Sequence, residues 1–114
     1  MLGGMRTILA FLLSAAIAFA ADISGNWNFN VVLDAGSGSP TFEFKQVGEN
    51  LTGLYKGQFG EAKVTGTVKG DKVEFTFGGD AGTVKYSGTV DGNKMKGTVD
   101  YGEVGKGTFT ATKN

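Results

Sequence analysis

The 114-residue sequence contains no cysteine and no histidine. The first absence excludes disulfides, a lipid-modified cysteine, thiolate metal sites and a thiol nucleophile; the second removes the imidazole base and the commonest metal ligand. Pro40 is the single proline. Arg6 is the only arginine, so after residue 20 ten lysines stand against eleven carboxylates, a net charge of −1. A chain so evenly charged lacks the basic footprint of a nucleic-acid or anionic-membrane partner. No helical hydrophobic period continues past residue 20.

What is present begins with an export signal. Arg6 supplies a short positive region, Ile8 to Phe19 an apolar run, and Ala18-Phe19-Ala20 the small-x-small form of a signal-peptidase site. The run is about twelve residues long, short of the roughly twenty that a bilayer span needs. Residues 1–20 are therefore predicted to be a signal-peptide helix and residues 21–114 a single domain, secreted or periplasmic, with no membrane span in the mature form. An exported domain of this size without a disulfide must rely on its core and on closing its sheet edges.

The domain is organised by glycine. One short word, an apolar residue, glycine two places on and a second apolar residue two places further, occurs at Ile23 to Trp27, Leu51 to Tyr55, Val64 to Val68, Tyr86 to Val90 and Met95 to Val99. Gly105 to Phe109 is a weaker copy. In a strand the alternate side chains share a face, so Gly25, Gly53, Gly66, Gly88, Gly97 and Gly107 face the core with their apolar neighbours. A glycine inside a strand marks a sharp bend or the close approach of something bulky. Repeated along the chain, this predicts strands coiled into a small closed barrel with large side chains lying against the glycines.

Turn residues cut the domain into eight strands: Gly25 to Leu33, Thr41 to Val47, Leu51 to Gly57, Glu61 to Val68, Val73 to Phe77, Thr83 to Val90, Lys94 to Tyr101 and Gly105 to Thr112. Asp34 to Pro40 reads as the longest loop, and Lys69 to Lys72 and Asp91 to Lys94 as tight hairpin turns. Gly66 to Val73 and Gly88 to Met95 match at an offset of 22 residues, which is two copies of a strand-turn-strand unit. The predicted fold is an all-β, eight-stranded, antiparallel up-and-down barrel. Its alternative, an outer-membrane barrel with the apolar set toward lipid, suits these short strands and glycine-rich apolar faces less well.

Chemistry has few footholds. The serines have no base near them in sequence, and Glu49, Asp71, Asp80, Asp91 and Glu103 fall in predicted turns, where turn formation accounts for them. No calcium-loop or phosphate-loop pattern occurs, and Asn50-Leu51-Thr52 reads as a turn that happens to fit the glycosylation sequon. The sequence describes a non-enzyme with no cofactor and no metal site. Binding is the remaining class, of a small hydrophobic ligand or of a protein partner. The inward set is aromatic, and Trp27, Phe44, Gln46, Tyr55, Phe75, Tyr86 and Tyr101 are the candidate ligand contacts, with Gln46 and the three tyrosine hydroxyls as the polar handles. The competing reading is that these rings fill the barrel solidly opposite the glycines.

Gly25-Asn26-Trp27 at the start of the first strand resembles the Gly-x-Trp signature of the lipocalin and avidin-type (calycin) barrels. The resemblance implies that the first strand pairs with the last, that Lys113 covers Trp27 as a cation-π contact at the closed end, and that the protein binds small apolar molecules. The chain is shorter than a lipocalin and lacks that family's longer loop motifs. It is also similar to small periplasmic barrels that inhibit secreted metalloproteases, although only Ala21 to Ser24 precede Gly25 as an inhibitory arm. A third reading is an accessory protein-interaction module that works beside a secreted enzyme.

Overall fold

The structure, a computed structural model, describes residues 21–58, 60–79 and 82–114; the expected signal-peptide helix lies outside the described residues. Strong alternation makes the strands. In β1 (Gly25–Leu33) Trp27, Phe29 and Val31 are buried while Asn26, Asn28, Asn30 and Val32 between them are exposed. The chain continues through β2 (Gly36–Gly38), β3 (Thr41–Val47), β4 (Asn50–Gly57), β5 (Gly60–Lys69), β6 (Lys72–Gly79), β7 (Gly82–Asp91), β8 (Lys94–Asp100), a 3-10 turn (Gly102–Val104) and β9 (Lys106–Lys113).

From β3 to β9 each strand pairs antiparallel with the next, and β9 returns to pair with β1 from Gly107↔Leu33 to Lys113↔Trp27. That last ladder closes an eight-strand barrel, with β2 as a short ninth strand outside the ring. Closure removes the free edges that an open sheet would expose to other chains. The buried residues, from Ile23 to Ala111, are all apolar or tyrosine, and the outward positions carry Lys, Glu, Thr and Asn. The apolar face is thus enclosed, the reverse of a lipid-facing barrel. Among the described residues no helix is long and apolar enough to cross a membrane.

The glycines are where the strands crowd. Gly53 pairs with Phe44, Gly66 with Phe75 and Gly97 with Phe109. A Cβ at Gly66 would stand 2.6 Å from the Phe75 Cβ and run into the Glu74 carbonyl; one at Gly97 would stand 2.5 Å from the Gly88 Cα and run into the Ser87 carbonyl. No side chain fits in either place. The glycines therefore let neighbouring backbones close in and the sheet coil tightly, and at Gly53 and Gly88 a ring atom, Phe44 Cδ1 at 3.0 Å and Phe109 Cζ at 2.9 Å, lies against the place of the missing Cβ.

The segment expected to be a plain loop is shaped further. β1 meets β3 only from Gly25↔Phe44 to Asn28↔Thr41, which leaves the far half of that edge of β1 without a partner. β2 folds back and supplies one, pairing Val31↔Gly38 and Leu33↔Gly36, and the Phe29 N–H donates to the Pro40 carbonyl at 3.0 Å. Backbone groups at a half-buried edge need such partners, and the sequence period carries no sign of them. The last connection also differs from its expectation. β8 ends at Asp100, Tyr101 stands outside it, and Gly105 precedes β9, because the 3-10 turn is fixed by the Gly102 N–H donating to Asp100 Oδ1 (2.9 Å) and the Tyr101 N–H to the Gly105 carbonyl (2.8 Å).

Gly97→Ala is expected to destabilise the barrel by about 1–3 kcal/mol, the usual range for overpacking. At Gly78 nothing lies within 4 Å of an added Cβ, so Gly78→Ala should stay within about 0.5 kcal/mol of the parent. Urea unfolding midpoints of the two variants check this; equal midpoints would contradict the crowding at Gly97.

Candidate functional site

The two ends of the barrel are built differently. At one end residues 21–24 cross beneath the strands. The Ala21 N–H donates to the Gly70 carbonyl (2.9 Å), the Ile23 N–H to Gln46 Oε1 (2.9 Å), and the Trp27 indole N–H to the Ile23 carbonyl (2.9 Å). The Gln46 N–H donates to Ser24 Oγ (3.0 Å) and its side-chain amide to the Gly48 carbonyl (3.0 Å). Ile23 and Trp27 are both fully buried. This end is shut. Trp27 and Gln46, two of the residues expected to meet a ligand, are occupied in sealing it.

Lys113 belongs to the same end. It pairs with Trp27 in register, and its Cε lies 2.9 Å from where a Cβ on Gly25 would be, so the lysine stem runs over the bare α-carbon. Gly25 also has φ +128°, a backbone region that side chains rarely adopt. The Ser24 N–H donates to Asp22 Oδ1 (3.0 Å), which with the nearby Lys113 charge holds the Asp22 carboxyl below its ordinary range.

Between the ends the interior is filled with rings. Phe29 lies 4.5 Å from Phe42 by centroid, Phe44 lies 5.0 Å from Phe75 edge-on, and Phe75 stacks on Tyr86 at 4.9 Å. Such separations are ordinary for packed aromatic pairs and make each ring the wall of the next. Phe44, Phe75 and Tyr86 are brought together as core, and each touches other rings.

Among the described residues the other end has no such cover. A depression of about 350 Å³ lies there, lined by Val31, Leu33, the 35–40 segment, Tyr55, Gln58, Tyr101 and Val104. Of the expected ligand contacts only Tyr55 and Tyr101 reach it. Tyr55 stacks on Phe77 at 4.3 Å, and its phenol end lies under Gly57, where a Cβ would come within 2.7 Å of the Tyr55 Cζ and 3.0 Å of the Pro40 Cβ. The Tyr86 and Tyr101 hydroxyls are hydrogen-bonded to each other, and the Tyr55 hydroxyl interacts with Tyr101. Two strands, β4 and β7, and the 3-10 corner thus place three phenols together beneath the mouth. Burial pushes the Tyr86 hydroxyl well above its ordinary pKa and Tyr101 up to about 12, so both keep their protons at neutral pH.

No protein-family model matches the chain, and no curated protein matches it. The closed eight-strand meander is consistent with a calycin-like barrel. The mouth residues that the sequence did not single out are Val31, Leu33, Gln58, Val104 and the 35–40 segment. Pro40, closing a Gly/Ser stretch, was the one local sign that this segment has a fixed course.

The phenols give the fold an alkaline limit. An acid whose folded pKa lies above its unfolded value, here 10.0, supports the folded state below that value and loses this support as the pH rises toward the folded one. Stability is therefore expected to hold up to about pH 9 and to fall between about 10 and 12, with Tyr86→Phe reducing the slope. Denaturant unfolding at stepped pH measures it; flat stability through pH 12 would show the hydroxyls to be accessible.

Proposed function

We propose that the protein is a secreted or periplasmic binding module, without catalytic activity, that takes a small hydrophobic molecule at the mouth of the barrel. The observation that carries the reading is the contrast between the ends: one is sealed by residues 21–24, while the other holds a depression lined by Val31, Leu33, Pro40 and Val104 together with Tyr55 and Tyr101. A cavity of about 350 Å³ is at the small end of ordinary ligand sites, and apolar walls with a few placed polar groups are their usual composition. The filled interior supports a ligand held at the mouth over one swallowed whole.

A protease-inhibitor role is less well supported. It needs a free N-terminal arm, and residues 21–24 are fastened across the closed end with Ile23 buried. An accessory module that binds a protein through the same mouth remains the second reading, since the 35–40 segment is largely exposed there.

Amide shifts recorded while neutral apolar compounds are titrated in are expected to move at Val31, Leu33, Tyr55 and Val104. Trp27 emission should stay constant, since the indole is buried at the opposite end. Shifts centred on Trp27 and Gln46, or none across a broad panel, would remove the mouth as a small-molecule site.

A further inference from the structure

We propose that residues 34–39 form a flap, which covers one side of the mouth in the empty protein and lifts from the edge of β1 to let a ligand reach the apolar wall behind it. The inference rests on the binding reading above and adds how that site is entered.

The first support is burial. Val31, Tyr55 and Tyr101 line the depression, yet Val31 is 3% exposed, Tyr55 2% and Tyr101 3%. Pro40 is buried as well, and Leu33 and Val104 are half-buried against the core. What a ligand meets first is the exposed part of the lining, Ala35, Gly36, Ser37, Ser39 and Gln58, which is small or polar. A hydrophobic molecule is held by burying its surface against apolar surface. The wall of the depression therefore becomes a binding surface only when part of its rim moves.

The second support is how little holds this part of the rim. Every strand of the ring hydrogen-bonds to a neighbour on both sides, whereas β2 pairs with β1 alone, over three residues of which two are glycine. Among the described residues, a Cβ added at Gly36 would meet nothing within 4 Å, and one at Gly38 would meet only Gln58 Oε1 at 3.3 Å. Short, exposed pairings with few packed contacts open at lower cost than the core strands of the same protein. Both ends of the segment are fixed. Leu33 pairs with Gly107 in the β1–β9 ladder, and the Pro40 carbonyl accepts the Phe29 N–H. Lifting the flap leaves that ladder intact, so the ring stays closed while the mouth widens.

Hydrogen exchange and a reversible staple test the flap. The Phe29 N–H points to Pro40, so alternation along β1 turns the Val31 N–H toward β2 and the Val32 N–H toward β9. In the unliganded protein the Val31 amide is expected to exchange at least about tenfold faster than the Val32 amide, once each is corrected for its intrinsic rate. Simple fraying from the end of β1 gives the opposite order. Val32 and Ser37 are exposed register partners in a chain without cysteine, so Val32→Cys with Ser37→Cys allows one disulfide that ties the flap down until reductant is added. Association of the uncharged dye N-phenylnaphthylamine, followed by its fluorescence, is expected to be at least about tenfold slower in the oxidised protein and to recover on reduction. Val31 exchanging no faster than Val32 overturns the flap. Equal association rates in the oxidised and reduced forms overturn it too, while the small-molecule site stands. No binding of the dye, octane or octanol by either form overturns this inference and the small-molecule reading together.

Discussion

The barrel depends on bare α-carbons set against aromatic rings. Gly53, Gly66 and Gly97 stand opposite Phe44, Phe75 and Phe109, and at each of them the neighbouring strand comes too close for a side chain. An eight-stranded barrel has an interior just wide enough for its side chains to fill. Here the filling is uneven by design of the sequence: large rings on one strand, nothing on the next. That pairing lets a domain without a disulfide enclose a dense aromatic core.

Closing the ring leaves two local problems, and the chain answers each with a different segment. The base of the barrel would expose Trp27, so residues 21–24 cross beneath it and tie their backbone to Gln46, Gly70 and the indole N–H. Near the top, β1 outruns its pairing with β3, so β2 folds back to satisfy the open edge. Both segments exist because buried backbone groups need partners. One of them seals an end and the other builds a wall of the mouth.

This division sorts the aromatic residues by task. Trp27 belongs to the seal, Phe44, Phe75 and Tyr86 to the packed centre, and Tyr55 and Tyr101 to the mouth. Tyr86 also joins centre to mouth through its bond to Tyr101. The described residues lining the mouth are uncharged, in contrast to the lysines and carboxylates on the outer face of the strands.

The sequence by itself determined the strands, their inward faces and the need for closure, because a period of two and glycine at fixed places within it are local properties that residue order carries. The eight long strands lie close to where that pattern sets them, and the glycine-ring contacts follow from it. Only the tertiary structure decided which end is shut, where β2 lies and which buried aromatics line the mouth. Those depend on stagger between strands and on hydrogen bonds between residues far apart in the chain, such as Ile23 with Gln46 and Tyr86 with Tyr101. Parity along a strand says that Trp27 and Tyr101 both point inward; it does not say at what height in the barrel each one sits.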